Sequence, residues 1–262
     1  MNVVVCLKQV PGTTQVKIDP HTNTLIREGV PAIINPFDAY ALEEGVRLKE
    51  RLGGTVTALT MGPPQAEQAL RDAVSVGADN AILVSDRAFA GSDTWATSTV
   101  LAAAVRKLKD VDLVICGRQS IDGDTGQVAP ELAQILGFPF VAYVSKVEDA
   151  GPAAMRVQQL VEDGHQVIET PLPAVISVTK EINTPRLPSL RGMMKAKSLK
   201  PAVWTVKDLD VPPGRVGAAG SATRVVKIFF PRRTRKSEMI AGSPEEQAEK
   251  LCRKLREGKF VA

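Results

Sequence analysis

Short apolar runs and helical patterns alternate four times within the first 137 residues of this chain, and few folds accommodate that order. Residues 3–7, Val-Val-Val-Cys-Leu, are uninterruptedly apolar, as in a strand buried on both faces. Asn35-Pro36 reads as a helix start, since Asn caps and Pro suits the first helical position, where no N–H is needed. Ala39, Leu42, Val46 and Leu48/Leu52 then recur near helical spacing until Gly53-Gly54. Residues 55–61 are β-branched and apolar, hence a second strand. Pro64 opens a second helix with Ala66, Leu70, Ala73 and Val74 on its apolar face and Gly77 as its stop. Residues 81–84 form a third strand, Ser92 or Asp93 caps a helix running to Leu108, and residues 112–116 form a fourth strand. Thr125 stands where it would cap a fourth helix carrying Val128, Leu132, Ile135 and Leu136 and closed by Gly137. Strand–helix units in this order predict an α/β fold with a parallel, helix-covered sheet.

After Phe138 the pattern changes. Residues 141–147, 155–161, 166–169 and 175–179 read as strands joined by short turns, hence an antiparallel appendage or extension of the sheet. Residues 183–220 are rich in Pro, Gly, Lys and Arg and show little periodicity, and residues 224–230 read as one more strand. Ser243-Pro-Glu-Glu246 is a capping box opening a helix to about Arg256. Charge follows the same division. Residues 1–179 carry 14 basic and 21 acidic side chains, net −7, whereas residues 180–236 carry 14 and 3, net +11. A basic segment after an acidic body suits nucleic acid, an acidic lipid surface, an anionic cofactor, an acidic partner, or plain solvation. Two Tyr, two Trp and seven Phe, with no aromatic-interleaved motif, argue against nucleic acid.

Several chemistries are excluded. No apolar stretch approaches the roughly 18 residues of a membrane helix, and the start of the chain does not read as a signal peptide. Cys6, Cys116 and Cys252 read as reduced core thiols of a cytosolic protein rather than a disulfide or metal framework. His21 and His165 have no ligand-spaced partner, so no metal site is expected. GxSxG, P-loop and GxGxxG patterns are absent, and Gly214-Arg-Val-Gly217-Ala-Ala-Gly220 reads as a flexible or close-packed loop. The informative stretch is Gly117, Arg118, Gln119, Ser120, Ile121, Asp122, Gly123, Asp124, Thr125, Gly126, Gln127 and Val128. It follows the fourth strand and enters a helix, at the carboxyl edge where parallel sheets bind ligands and helix N-termini accept anions. Gly117, Gly123 and Gly126 permit close backbone approach, and Ser120 and Thr125 offer hydroxyls. Asp122 and Asp124 would repel phosphate, so ribose hydroxyls or the turn itself are their expected partners. A nucleotide site and a structural turn-rich loop both fit this pattern.

Four segments resemble the β subunit of electron-transfer flavoproteins: Cys6-Leu-Lys-Gln-Val-Pro11; Asn35-Pro-Phe-Asp38 with Ala41-Leu-Glu-Glu44; the 117–128 loop; and Asn183-Thr-Pro-Arg186 with Leu190-Arg-Gly-Met-Met-Lys-Ala-Lys197. The similarity continues through Ser221-Ala-Thr-Arg224, where the family more often has Ser-Pro-Thr, to the C-terminal helix. The resemblance implies a Rossmann-like parallel sheet of the adenine-nucleotide-binding type, with an antiparallel extension and a C-terminal arm. It implies nucleotide contacts at Cys6, Asn35, Pro36, Phe37, Asp38, Met61 and residues 117–128. Some family members hold AMP there, others a second FAD that takes hydride from NADH and splits the electron pair. Ser85 to Ser98, Asp122-Gly-Asp-Thr125 and Met61-Gly-Pro-Pro64 resemble the bifurcating group. Thr94, Thr97 and Ser98 then supply hydroxyls to a flavin or pyrophosphate, unless they merely follow a helix cap into solvent.

The resulting expectation is an FAD-binding electron-carrier subunit with no catalytic residue of its own, working as a heterodimer with the α subunit. NADH is the expected donor. Ferredoxin or flavodoxin, and an acyl-CoA dehydrogenase or quinone reductase, are the acceptors the resemblance implies. The alternatives are an AMP-holding member without its own flavin and a stand-alone ATP-binding regulatory domain. Expected divisions are a nucleotide-binding domain over 1–182, a partner-recognition loop over 183–200 anchored by Leu190, a completing segment over 201–230, and a docking arm over 231–262. The expected location is the cytoplasm, peripheral to a membrane only through a partner.

Overall fold

In the computed structural model, the strand β1 (Asn2–Cys6) lies inside a nine-stranded sheet rather than at its edge. Residues 1–12, 17–18, 25–26, 32–226 and 237–261 are described, with backbone alone at 17–18 and 25–26. Two small antiparallel ribbons follow β1: β2 (Gln9–Pro11) pairs with β5 (Ala32–Ile34), and β3 (Lys17–Ile18) with β4 (Leu25–Ile26). The main chain then runs through α1 (Pro36–Leu52), β6 (Thr55–Met61), a 3-10 turn at Pro64–Ala66, α2 (Glu67–Val76), β7 (Asn80–Val84), α3 (Thr94–Leu108), β8 (Leu113–Gly117) and α4 (Val128–Leu136). These are the four expected strand–helix units.

The later strands are β9 (Phe140–Ala150), β10 (Ala154–Val161), β11 (Gly164–Pro171), β12 (Ala174–Val178) and β13 (Ala202–Trp204). The sheet order is β11-β10-β9-β12-β8-β1-β6-β7-β13. From β9 to β13 every neighbouring pair is parallel, and only β9–β10 and β10–β11 are antiparallel. The expected antiparallel extension is therefore β9–β11. β12 is not part of it: all five of its residues are buried, and it inserts between β8 and β9 as a parallel strand.

β1 shows why the sheet is covered twice. Val3, Val5 and Leu7 pack under α1 and α2, while Val4 and Cys6 point to the other face, under α3 and α4. Helices on both faces make the sheet doubly wound, with Leu42, Leu70 and Ile115 at the centre of one layer and Leu59, Val100 and Leu132 at the centre of the other.

Local expectations fail at four places. Asn35 precedes α1 but its side chain makes no cap bond, and α4 is preceded by Gln127, not capped by Thr125. The aperiodic 183–220 stretch contains α5 (Leu190–Lys197), β13, α6 (Val206–Leu209) and α7 (Gly217–Gly220). Residues 224–226 carry no strand, and 227–230 lie outside the described residues, as does His21. The chain divides into two units, Met1–Val226 and Lys227–Ala262. The second contains α8 (Pro244–Glu257), opened by the expected reciprocal Ser243–Glu246 capping box.

Candidate nucleotide-binding crevice

From β1 the chain proceeds through β6 and β7 on one side, then crosses to β8 on the other. The order thus reverses between β1 and β8, and a crevice opens beyond their carboxyl ends. Its walls are the β1 exit at Lys8, the first turn of α1, and the loop from Gly117 to Gln127.

Asn35 joins these walls. Its Nδ2 donates to the Gln119 carbonyl (2.8 Å), its Oδ1 accepts the Ile121 N–H (3.2 Å), and its own amide donates to the Lys8 carbonyl (2.8 Å). The side chain that fails to cap α1 is thus spent on the loop. Lys8 completes the bridge: its Nζ donates to Asp122 Oδ1 at 2.7 Å and to Ser120 Oγ at 3.3 Å. Burial works to raise the Asp122 carboxyl, but the Lys8 hydrogen bond and charge outweigh it and hold Asp122 below the ordinary range. Gln119 Nε2 donates to Asp124, and the Asp124 amide closes a turn on the Ser120 carbonyl at 2.8 Å. Both aspartates therefore order the turn, one of the two roles expected of them.

Beneath the loop sits Asp38, 6% exposed, whose Oδ2 accepts the Lys8 amide at 2.7 Å. Burial pushes its carboxyl up to about 7, against hydrogen bonds from Asn35, Lys8 and Gly117 that pull it down. A Cβ at position 117 would lie 2.3 Å from Asp38 Oδ1 and 2.7 Å from the Phe37 carbonyl carbon, so only glycine lets β8 pass the first turn of α1. Cys6 and Cys116 are buried neighbours in the β1–β8 register; the hydrogen bond with Cys6 and burial both raise the Cys116 thiol. Cys252, on α8, is exposed, so the expectation of a core thiol holds for Cys6 and Cys116 and fails there.

The helix N-termini of α3 and α4 meet beside this crevice. Asp93 caps α3 through the Ala96 amide. Thr94 Oγ1 lies 3.0 Å from both Gln127 Oε1 and Glu131 Oε1, and Ser98 Oγ donates to Glu131 Oε2 at 3.0 Å. Thr97, half-buried, has no side-chain hydrogen bond among the described residues. Met61 ends β6 and packs partly on the α3/α4 layer with Val128. The two expected segments are therefore adjacent, but Thr94 and Ser98 already serve Glu131.

Chemically, the crevice fits a phosphate-bearing nucleotide. The amides of Gly123, Thr125, Gly126 and Gln127 donate to no protein acceptor among the described residues, and they precede a helix N-terminus. A Cβ at Gly123 would meet nothing closer than 3.6 Å, so the loop is open on that side. Arg118 adds a guanidinium, 5.3 Å from the Tyr143 ring centroid and 6.0 Å from that of Phe37. Lys8 and Tyr143 were missed by sequence reasoning because each reaches the crevice from a distant element, and Glu131 because its partners Thr94 and Ser98 lie on α3. Leu190, on α5, is 80% exposed and is not part of the crevice. Among the described residues no group of His, Cys, Asp and Glu could hold a metal ion, and no helix is long and apolar enough to cross a membrane.

Comparison with known proteins identifies the family. The electron transfer flavoprotein domain matches residues 22–209. The chain is 48% identical over 256 residues to "Electron transfer flavoprotein subunit beta" of Thermoanaerobacterium thermosaccharolyticum, covering 97% of this chain and 98% of the relative. It is also 48% identical over 263 residues to "Caffeyl-CoA reductase-Etf complex subunit CarD" of Acetobacterium woodii, covering 100% of both. With "Protein FixA" of Azotobacter vinelandii it shares 46% identity over 97% of this chain and 94% of the relative. Matched from end to end by relatives of this kind, the chain belongs to the electron transfer flavoprotein family, with the β subunits as its counterparts.

Proposed function

We propose that this chain is the β subunit of a heterodimeric electron transfer flavoprotein that binds FAD in the β1–β8 crevice. On this reading it accepts electrons from NADH and passes them to two acceptors, ferredoxin or flavodoxin on one side and a dehydrogenase or quinone-linked partner on the other. The observation that carries the reading is the set of amides of Gly123, Thr125, Gly126 and Gln127, without a protein acceptor among the described residues, at the topological switch point. The loop amides and the α4 N-terminus bind the pyrophosphate, and Thr97 and the Thr94 lone pairs meet the far end of the cofactor. Cys6, Pro36, Phe37 and Met61 supply the wall, while Asn35, Asp38 and Lys8 hold that wall to the loop. Bound FAD would supply the redox chemistry, and the chain supplies binding, orientation and electrostatics.

Leu190 anchors the dehydrogenase partner, and the C-terminal arm docks on the α subunit. Along α8, Ala248, Leu251, Cys252 and Leu255 recur at helical spacing, and no residue of α8 is buried. The named role of CarD in a reductase–Etf complex supports an assembly of this kind. The cytoplasm is the location that suits these partners.

Purification of the heterodimer, extraction of its nucleotides and anaerobic mixing with NADH test the reading. Two FAD per heterodimer and rapid bleaching by NADH are expected. One FAD, one AMP and no response to NADH would instead establish the non-bifurcating type.

A further inference from the structure

Among the parallel strand pairs of the main sheet, the register breaks in the β9–β12 ladder, beside the crevice. Ile176 pairs with Val141 and Val178 with Val144, so Ala142 and Tyr143 of β9 face Ser177 of β12 alone. That is a β-bulge, and bulges re-aim side chains next to functional sites. Tyr143 sits in it with φ 51°, a conformation that a bulky residue adopts only when its surroundings impose it. The buried Ser177 imposes it, its Oγ accepting the Tyr143 N–H at 3.2 Å. Yet the ring so positioned is not in the core: Tyr143 is 45% exposed.

What the bulge gains is a contact with Arg118. The guanidinium lies 5.3 Å from the Tyr143 ring centroid and 6.0 Å from that of Phe37, while Arg118 Nε donates to Gln119 Oε1 at 2.9 Å. The terminal nitrogens of Arg118 have no acceptor among the described residues. A planar guanidinium with free N–H groups recognises phosphate, and an exposed aromatic ring stacks on a planar heterocycle.

We propose that Tyr143 and Arg118 form a rim platform that stacks the ring and takes the phosphate of a nucleotide entering the crevice. This rests on the nucleotide reading above. The same chemistry belongs to a tightly held cofactor and to an exchanging dinucleotide reductant, and the test separates them.

Tyr143→Gly relieves the backbone strain and removes the ring, and Tyr143→Phe keeps the ring. In the purified heterodimer, Tyr143→Gly is expected to melt higher by about 2 °C. Its nucleotide affinity is expected to fall by about 5- to 10-fold. Tyr143→Phe should match wild type in both. Lower extracted FAD or AMP assigns the platform to the retained cofactor. Unchanged content with weaker binding of added NADH assigns it to the reductant. Tyr143→Gly that retains its nucleotide and binds NADH as wild type does overturns the proposal, whatever its melting temperature. Wild-type protein that neither retains a nucleotide nor binds one overturns the underlying reading as well.

Discussion

Asp38 joins three pieces of backbone at the floor of the crevice, and its ionisation gives that floor a pH dependence of unusual sign. Its folded-state value of about 7 stands above the ordinary 3.8. The native protein therefore keeps a proton that the unfolded chain has already released, so this stabilisation is full below 3.8 and is lost as pH rises through about 7. The slope is at most ~1.4 kcal/mol for each pH unit. Thermal melts are expected to show wild type losing stability between about pH 5 and about pH 8, where other carboxylates are already ionised, and Asp38→Asn losing much less. Equal slopes for the two proteins would remove Asp38 from this role. At this scale the sequence was legible in one respect only. The glycines and acids of the 117–128 loop stand out because they are contiguous. Lys8 and Tyr143 do not, since the first is one cation after an apolar run and the second one aromatic in a strand, and only the β1–β8–β12–β9 order brings them to a common rim.

Among the elements, the first four strand–helix units were readable because each buries a continuous stripe, and periodicity reports burial. α5 was not, and its packing says why. It docks through small residues, Gly192 and Ala196, while Leu190 and Met194 point outward at 80% and 73% exposure. Its apolar pattern is therefore inverted relative to a core helix. A Cβ on Gly192 would lie 2.0 Å from the Ser75 carbonyl oxygen, so the helix approaches α2 as closely as only glycine permits. Lys195 Nζ fixes the other end, donating to the Ala78 and Asp79 carbonyls at 3.2 and 3.1 Å. Arg186, paired with Glu43 and Glu50 of α1, holds the approach to the helix. On the proposed function, Leu190→Ala should leave flavin content and folding unchanged and slow electron delivery to the dehydrogenase about 10-fold or more, as for a hot spot of about 2 kcal/mol. Gly192→Ala should slow delivery too, but by displacing α5, with a loss of ~1–3 kcal/mol in denaturant titration. Stopped-flow reduction of the partner reads the first effect, and intact delivery in both variants would refute it.

For the molecule as a whole, the net −7 of residues 1–179 and the +11 of residues 180–236 make the chain electrically lopsided. Partner proteins and cofactor phosphates, not DNA or RNA, are the expected counterparts of the basic block. Weak nucleic-acid retention at moderate salt would accord with that, whereas tight, steeply salt-dependent binding by the intact heterodimer would contradict it. The division into Met1–Val226 and Lys227–Ala262 was not visible as a break in composition, because the basic block spans it. The interior position of β1 has a consequence for how the protein is made. Asn2 bonds to Asp112, 110 positions along the chain, and β1 finds its β8 neighbour only after two further strand–helix units have been synthesised. Pairings of such long range are slow to form. The two walls of the crevice thus emerge at opposite ends of the first half of the chain, and the site cannot close until the loop ending at Gln127 has been made.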